Sequence, residues 1–273
     1  MSLQREEFEY VRELLQTNSG IVLEPGKEYL VETRLRALAE ELKAPSVQEL
    51  LRQLRNGSSR GTHQRVVEAL TINETFFFRD ARVFEVLQNT ILPSIVERRR
   101  TERTLTIWSA ACSTGQEPYS VAIILREHFP ELASWGCRII ATDINEQVLS
   151  KAATGCYSRL EVNRGMPARL LAKYFSPNKL EWQLHADLRR MVEFRQLNLT
   201  SLWGLLPNMD IILLRNVLIY FDVAMKRRIL QRMEIQIRPD GYLLLGSSEA
   251  TFGLSQSFQR LANDKAGWHV VSR

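Results

Sequence analysis

The chain has 273 residues, 45% of them hydrophobic and 25% charged, which is the make-up of an ordinary folded protein of one large domain or a domain plus a smaller one. Formal net charge is +5, a bias that admits an acidic protein partner, a nucleic acid or an anionic surface without choosing among them. No apolar run reaches the roughly 18 residues that a membrane span needs. The charged opening "MSLQREEFEY" carries no signal-peptide core. Cys112, Cys137 and Cys156 form no CxxC pair, and the four histidines have no ligand spacing, so a disulfide scaffold and a metal site are both unexpected. The expectation is a cytoplasmic chain with reduced thiols.

The first 70 residues read as helices. Leu3, Phe8, Val11, Leu14 and Leu15 share one face of a helix over 3–17, which "NSGI" ends with a glycine. A second helix over 26–43 carries the stripe Leu30, Val31, Leu35, Leu38 and Leu42, with Arg34 and Arg36 off it. Ser46 is placed to cap a third helix, "VQELLRQLRNG". The turn "GSSRGTH" leads to a fourth helix over about 63–71. A further helix, roughly 80–99, ends in the basic run "ERRRTER".

From there strands and helices alternate. "TLTIWSA", "CRIIATD", "MVEFRQLN", "MDIILLRN", "GYLLLGSSE" and "GWHVVS" read as strands. Helices fall at 117–128, at 145–153 and over "DVAMKRRILQRMEIQI", the last closed by the turn "RPDG". Such alternation implies βαβ units and a largely parallel sheet. Residues 165–195 interrupt the rhythm and read as a small antiparallel insertion.

In an open α/β sheet, ligands bind beyond the carboxyl ends of the strands. The first strand leaves through small residues, "AACSTG", into a helix whose mouth carries Glu117. The dinucleotide pattern G-x-G-x-x-G is absent, since Gly115 stands alone, and a carboxylate at a helix mouth repels phosphate. Glu117 suits a cation or a hydroxyl-rich ligand, or simply its own helix dipole. Asp143 ends the second strand, where an acidic residue accepts from ribose hydroxyls or caps the next helix. Together they point to a nucleoside without a diphosphate, and S-adenosylmethionine is the common ligand of that kind. Asn198 and Asn216 leave two further strands, and Arg215 follows four apolar residues, a place that demands a partner.

The motifs "TINETFFFRD", "ACSTGQEPYS", "ATDIN" and "LRNVLIYFD", in this order over nearly the whole chain, resemble the CheR family of chemotaxis-receptor methyltransferases. The resemblance implies a Rossmann-like S-adenosylmethionine-dependent methyltransferase domain (104–273) with a small antiparallel β insertion (165–195). An all-α N-terminal receptor-docking domain (1–71) and a linker with helix (72–103) would precede it. It implies transfer of a methyl from S-adenosyl-L-methionine to glutamate side chains of chemoreceptor cytoplasmic helices, leaving S-adenosylhomocysteine. Motif by motif, the cofactor contacts fall on Asn73, Thr75, Arg79, Glu117, Asp143, Asn198, Leu199, Arg215 and Asn216. Tyr220 falls near the transferred methyl. The family commonly reads G-E-E-P where this chain has Gly115-Gln116-Glu117-Pro118; the glutamate beside the proline is kept.

A glutamate acceptor is already ionised at neutral pH and needs no dedicated base. Tyr220 and Arg79 are therefore assigned to orient it, and Arg34 and Arg36 to dock acidic receptor helices. The partner is the receptor cytoplasmic domain, with no nucleic acid, no membrane insertion, no metal and a monomeric chain. "YFSPNKLEWQL" in the insertion is short and lacks glycine, so independence from a receptor C-terminal pentapeptide is expected. A nucleic-acid methyltransferase is disfavoured because "RNVLIYF" is unlike the Asn-Pro-Pro-Tyr motif used on exocyclic amines. A nicotinamide oxidoreductase lacks its glycine fingerprint, and a non-catalytic sensor would not need the whole motif set.

Overall fold

The computed structural model describes residues 3–57, 60–262, 264 and 266–272. The chain divides into two compact units, one of Met1–Ile72 with Tyr220–Met225 and one of Asn73–Ile219 with Lys226–Arg273.

Among the described residues the first unit holds four helices, α1 (Arg5–Ser19), α2 (Glu28–Glu41), α3 (Val47–Arg55) and α4 (Arg60–Leu70). A capping box of Gln4 and Glu7 starts α1, and Gly20, at φ +72°, ends it. Ser46 caps α3 by accepting the Glu49 N–H at 3.1 Å. Phe8, Val11 and Leu15 of α1, Val31 and Leu35 of α2, and Leu50 and Leu54 of α3 are buried, so the amphipathic stripes form one core. The stretch after α1 is tied by a bridge between Ile21 and Phe221 and by the Val22 N–H donating to the Tyr220 carbonyl at 2.8 Å.

The second unit opens with α5 (Ala81–Val86) and α6 (Leu92–Arg98), separated by a π-helical turn over Leu87–Ile91. The single helix expected over 80–99 is thus interrupted. Pro93 has no N–H to give the regular ladder, and the Leu92 N–H donates to the Leu87 carbonyl instead. There follow β1 (Thr104–Ala110), α7 (Gln116–His128), β2 (Gly136–Asp143), α8 (Glu146–Thr154), β3 (Cys156–Ser158), α9 (Arg159–Asn163), α10 (Ala168–Tyr174), β4 (Phe175–Asn178), β5 (Glu181–Leu184), α11 (Ala186–Arg189), β6 (Val192–Gln196), β7 (Met209–Leu214), α12 (Val223–Gln236), β8 (Ile237–Leu245), β9 (Phe258–Arg260) and β10 (Trp268–Val271).

Seven strands form one sheet in the order β6-β2-β1-β7-β8-β10-β9. The first five are parallel, β10 runs antiparallel to β8, and β9 runs antiparallel to β10 and so in the direction of the first five. The chain order reverses between β1 and β7, and a crevice opens at such a switch point, past the carboxyl ends of the strands. Residues 105–110 and all of β7 are buried, as an apolar strand covered on both faces requires.

Two boundaries differ from the sequence reading. The small antiparallel sheet has the order β3-β5-β4, so it begins at 156, before the expected insertion. Its Tyr157 packs edge-on against Phe77, with centroids 5.0 Å apart. Val192–Gln196 instead pairs with β2 in the main sheet, outside the insertion. "RPDG" is not a turn between helix and strand but a bulge inside β8. Met209 pairs Ile237 and Ile211 pairs Tyr242, leaving the residues between as the excess. A side chain at Gly241 would meet the Asp210 carbonyl at 3.0 Å, so the bulge needs glycine there.

Candidate active site

The segment after β1 is held by its backbone. Ala111 (φ +60°), Ser113 (φ +52°) and Gly115 (φ +90°) alternate in the left-handed region. Two non-glycine residues in that region are uncommon and carry strain of order 1–3 kcal/mol each unless their surroundings impose it. The constraints are visible. The Cys112 N–H donates to the Thr142 carbonyl at 2.9 Å, and the Ser113 N–H to Asp143 Oδ2 at 2.8 Å. Ser113 Oγ donates to the Asn73 carbonyl at 2.8 Å. The sequence reading noted the small residues of "AACSTG" as a group, and Gly115 has a packing reason of its own: a Cβ there would sit 2.9 Å from the Ala152 Cβ and 3.3 Å from Phe194, against α8 and β6.

Asp143 ends β2 and is buried. Its Oδ1 accepts the Asn145 N–H at 3.0 Å. The cap of α8 is Asn145, whose side chain accepts from Gln147 and Val148, so Asp143 is not a helix cap. The Asp143 carbonyl takes the Leu197 N–H at 2.9 Å and so brings Asn198 alongside. Asn198 Oδ1 accepts from Thr200 N–H at 3.0 Å and Oγ1 at 2.8 Å, and Leu199 is buried.

Glu117, in the first turn of α7, faces a cation from its own chain. Arg215 Nη1 donates to its Oε2 at 3.0 Å, and Ser109 Oγ to its Oε1 at 2.8 Å. Glu117 makes no capping bond in α7. Arg215 Nη2 also donates to Asp80 Oδ2 at 2.6 Å and to the Arg79 carbonyl at 3.0 Å. The two expected cofactor residues Glu117 and Arg215 are therefore partners in a buried ion pair.

The motif "TINETFFFRD" has no regular structure, yet it is anchored along its length. Phe77 is in the core, and the Phe78 N–H donates to Ser120 Oγ at 2.9 Å. Arg79 Nη1 donates to the Glu74 carbonyl at 2.9 Å and its guanidinium lies 5.5 Å over the Phe76 ring. Thr75 is half-buried on this segment. These anchors bring Asn73 against the 111–115 loop and Arg79 against Arg215.

Asn216, at φ +57°, follows Arg215. Arg34, Arg36 and Tyr220 belong to the helical unit. Arg34 is not the exposed docking cation expected. Its Nη1 donates to the carbonyls of Leu70 and Thr71 at 2.7 and 2.9 Å, closing the end of α4, and burial lowers its pKa. Arg36 is exposed and pairs with Glu32 at 3.3 Å.

The site offers a methyl donor's partners and no nucleophile of its own. Burial, then the Asp143 and Glu117 charges, push the Cys112 thiol well above its usual range, so it stays neutral. Arg215 Nε is buried with no acceptor among the described residues, a donor that suits a ligand carboxylate. With two carboxylates and no phosphate cradle, these residues fit S-adenosylmethionine, which carries a sulfonium, a ribose and an amino-acid carboxylate. Among the described residues, no group of three or more His, Cys, Asp or Glu could hold a metal. No helix among them is long and apolar enough to cross a membrane.

Comparison with known families places the chain. Residues 73–266 match the SAM binding domain of CheR methyltransferase, and residues 6–71 match its all-alpha domain. This chain belongs to the CheR methyltransferase family. Chemotaxis protein methyltransferase Cher2 of Pseudomonas putida is 39% identical over 95% of each chain. Chemotaxis protein methyltransferase 1 of Pseudomonas aeruginosa is likewise 39% identical over 95% of each. The Vibrio cholerae chemotaxis protein methyltransferase 1 is 38% identical over 95% of this chain and 94% of that one. Solved structures align more distantly. A TehB-like SAM-dependent methyltransferase from Corynebacterium glutamicum, 10% identical, covers 71% of this chain and 97% of that one with a TM-score of 0.38. The family and the sheet order make this chain an S-adenosylmethionine-dependent methyltransferase with a Rossmann-like catalytic domain, a small antiparallel sheet and an all-α N-terminal domain.

Proposed function

We propose that this enzyme methylates glutamate side chains on the cytoplasmic helices of chemoreceptors, giving glutamate 5-O-methyl esters and S-adenosylhomocysteine, as the adaptation step of chemotaxis-type signalling. The observation that carries the reading is the 39% identity to chemotaxis protein methyltransferases over 95% of the chain. The acceptor chemistry agrees with the site. A glutamate is ionised at neutral pH, with a reference pKa of about 4.3, and the cluster of Asp143, Glu117 and Arg215 contains no neutral base for it to need.

When bound, S-adenosylmethionine supplies a methyl group made electrophilic by its sulfonium. The chain's residues bind, align and desolvate. Asp143 takes the ribose hydroxyls; Asn198 and Leu199 take the adenine side. Asn73, Thr75, Arg79, Glu117, Arg215 and Asn216 hold the rest. Tyr220 and Arg79 orient the acceptor carboxylate. Tyr220→Phe is expected to lower kcat about tenfold or more while leaving the affinity for S-adenosylhomocysteine within about twofold, as loss of one positioning hydrogen bond would. Equal loss of both would refute the assignment.

Residues 1–71 are proposed as the receptor-docking domain, with Arg36 its exposed cation, and 104–273 as the catalytic domain reached through 72–103. The enzyme acts in the cytoplasm as a monomer, without nucleic acid. Independence from a receptor C-terminal pentapeptide is supported by the β4–β5 hairpin. Only Lys179 and Leu180 join its strands, with Lys179 at φ +55° and no glycine-rich loop. Calorimetric titration with the pentapeptide should give no heat of binding, and micromolar binding would overturn this.

The deciding experiment is transfer of labelled methyl to receptor-containing membranes, scored as base-labile volatile methanol. Label that disappears in Asp143→Ala supports the reading. No label, with cofactor binding intact, sinks it.

A further inference from the structure

The turn after β7 is fixed by a side chain from the neighbouring strand's exit. The N–H groups of Asn216 (2.8 Å), Val217 (2.9 Å) and Leu218 (2.7 Å) all donate to the Glu249 carboxylate, with Ile219 at a longer 3.4 Å. The Gly246 N–H adds another donor at 2.7 Å. The Glu249 N–H donates back to the Gly246 carbonyl at 3.0 Å, closing a turn after β8 that sends its side chain toward the end of β7. Bonds from N–H to an ionised carboxylate are the strong kind, and several converge on one group here.

Gly246 shows how closely the two exits meet. A Cβ there would lie 2.6 Å from Glu249 Oε2 and 2.9 Å from both the N and the Nδ2 of Asn216. Asn216 itself holds a left-handed φ of +57°, a conformation that a non-glycine residue keeps only when its surroundings impose it. The imposing group is Glu249. The turn lies at the edge of the core: Leu218 is buried, Ser247, Ser248 and Ile219 are exposed, and the strands it joins are buried through Leu213, Leu214, Leu244 and Leu245.

We infer that Glu249 is a positioning residue for the methyl-transfer site, setting Asn216 toward the cofactor by clamping the backbone of 216–219. The inference rests on the proposed cofactor role of Asn216. Because the β7 and β8 ladders do not depend on the clamp, its loss releases the turn without unfolding the sheet. Glutamine is a poor replacement, since its amide N–H2 would face backbone donors.

Titration of the full chain with S-adenosylhomocysteine, paired with thermal melts, tests this on E249Q, E249D, N216A, the double variant E249Q/N216A and the exposed-loop control S248A. Expected is an affinity loss of about tenfold or more in E249Q, matching one lost charge-assisted contact. Its melting temperature should stay close to that of the parent. The double variant should bind no worse than the weaker single, E249D should recover part of the loss, and S248A should match the parent. Weakened N216A with unchanged E249Q overturns the clamp and leaves the reading of Asn216 standing. Unchanged N216A overturns that reading, and the clamp with it. Equal loss in E249Q and E249D alongside a clearly lowered melting temperature overturns it as well, making Glu249 a scaffold residue.

Discussion

Two buried arginines stand at opposite ends of β7, and they are satisfied differently. At the amino end, Arg99 donates through Nε to Asp210 Oδ1 at 2.9 Å and through Nη2 to Asp240 Oδ1 at 2.5 Å. Asp210 Oδ2 accepts the Thr106 N–H at 2.8 Å, so β1, β7, β8 and the end of α6 meet in one network. The Asp240 hydrogen bond leads in holding the Arg99 pKa up. At the carboxyl end, Arg215 is only 2% exposed, yet its Nε has no acceptor among the described residues, and its partners Glu117 and Asp80 are 12% and 47% exposed. Both ends keep a buried arginine Nε without an acceptor among the described residues, Arg238 at the amino end and Arg215 at the carboxyl end, and both have a partly exposed carboxylate. The difference is one of place: the amino-end network ties strands together around the buried Asp210, whereas the carboxyl-end one lies past the strand exits, where a ligand binds.

That difference predicts opposite consequences for removing a charge. Arg99→Ala leaves Asp210, 1% exposed, as a buried charge without its closest cation and with Arg238 at 3.5 Å. Urea denaturation should show a stability loss of about 3–5 kcal/mol, with unchanged S-adenosylhomocysteine affinity in the folded fraction. A loss below about 1 kcal/mol would remove the case for a structural network at this end. Glu117→Gln should invert the pattern. Its shape is kept and Asp80 still neutralises Arg215, so stability should fall by only about 1 kcal/mol. Affinity for S-adenosylhomocysteine should fall about tenfold or more, since Arg215 loses the partner that orients it. Comparable stability losses in the two variants would mean the two ends are alike.

The carboxyl-end residues could be read from sequence because they leave long apolar strands. "MDIILLRN" announces both a buried strand and the polar residues at its exit. Their pairing could not be read, because Glu117 and Arg215 are 98 positions apart and only the sheet order joins them. Ala111 and Ser113 gave no sign of positive φ, since the bonds from Ser113 to Asp143 and Asn73 that impose it are non-local. Glu249 passed as the tail of a strand because its partners are backbone groups, which carry no residue signature. The same limit explains β3 and β9. Three residues each are too few for a period-two pattern, and long-range pairing defines them. "RPDG" was a true irregularity signal, but sequence alone cannot separate a turn from a bulge whose Asp240 is held by Arg99. Arg34 and Arg36 lie about 200° apart on a helical wheel, both off the apolar stripe, and the sequence does not say which of the two meets the end of α4.

A third carboxylate ties two helices together. Glu127, at the end of α7, is 5% exposed and bonds Lys173, Tyr174 and Arg169, tying the helix to α10. The Lys173 and Tyr174 hydrogen bonds hold its carboxyl down to about 2 against the opposing effect of burial. A carboxyl depressed in the folded state contributes stability that is complete above its unfolded value near 4.5 and is lost as pH falls toward 2. Lys173 is 53% exposed and Arg169 72%, so solvent screening reduces the contribution to about 1–2 kcal/mol. Glu127→Gln should melt a few degrees lower at pH 7, and the gap from the parent should narrow below about pH 4.5 and close only near pH 2. A gap that persists in acid would assign the effect to packing instead of charge.

The smallest effect separates Arg36 from Arg34. Arg36 is 66% exposed and its pair with Glu32 is an i,i+4 surface contact, of a kind that contributes about 0.5 kcal/mol at most. Removing it should leave the melting temperature unchanged. If this face meets acidic receptor helices, Arg36→Glu should slow methylation of receptor membranes a few-fold at low salt, and the deficit should shrink as salt screens the encounter. Arg34→Glu should behave otherwise. Two carbonyls at the end of α4 lose their donor and gain a repelling carboxylate, so the loss appears as stability, about 1–3 kcal/mol, at every salt concentration. A salt-dependent methylation defect in Arg34→Glu with an unchanged melting temperature would reverse the assignment and return Arg34 to the docking face. Two arginines two positions apart in the same helix would then both serve docking, and the carbonyl contacts of Arg34 would be incidental to its role.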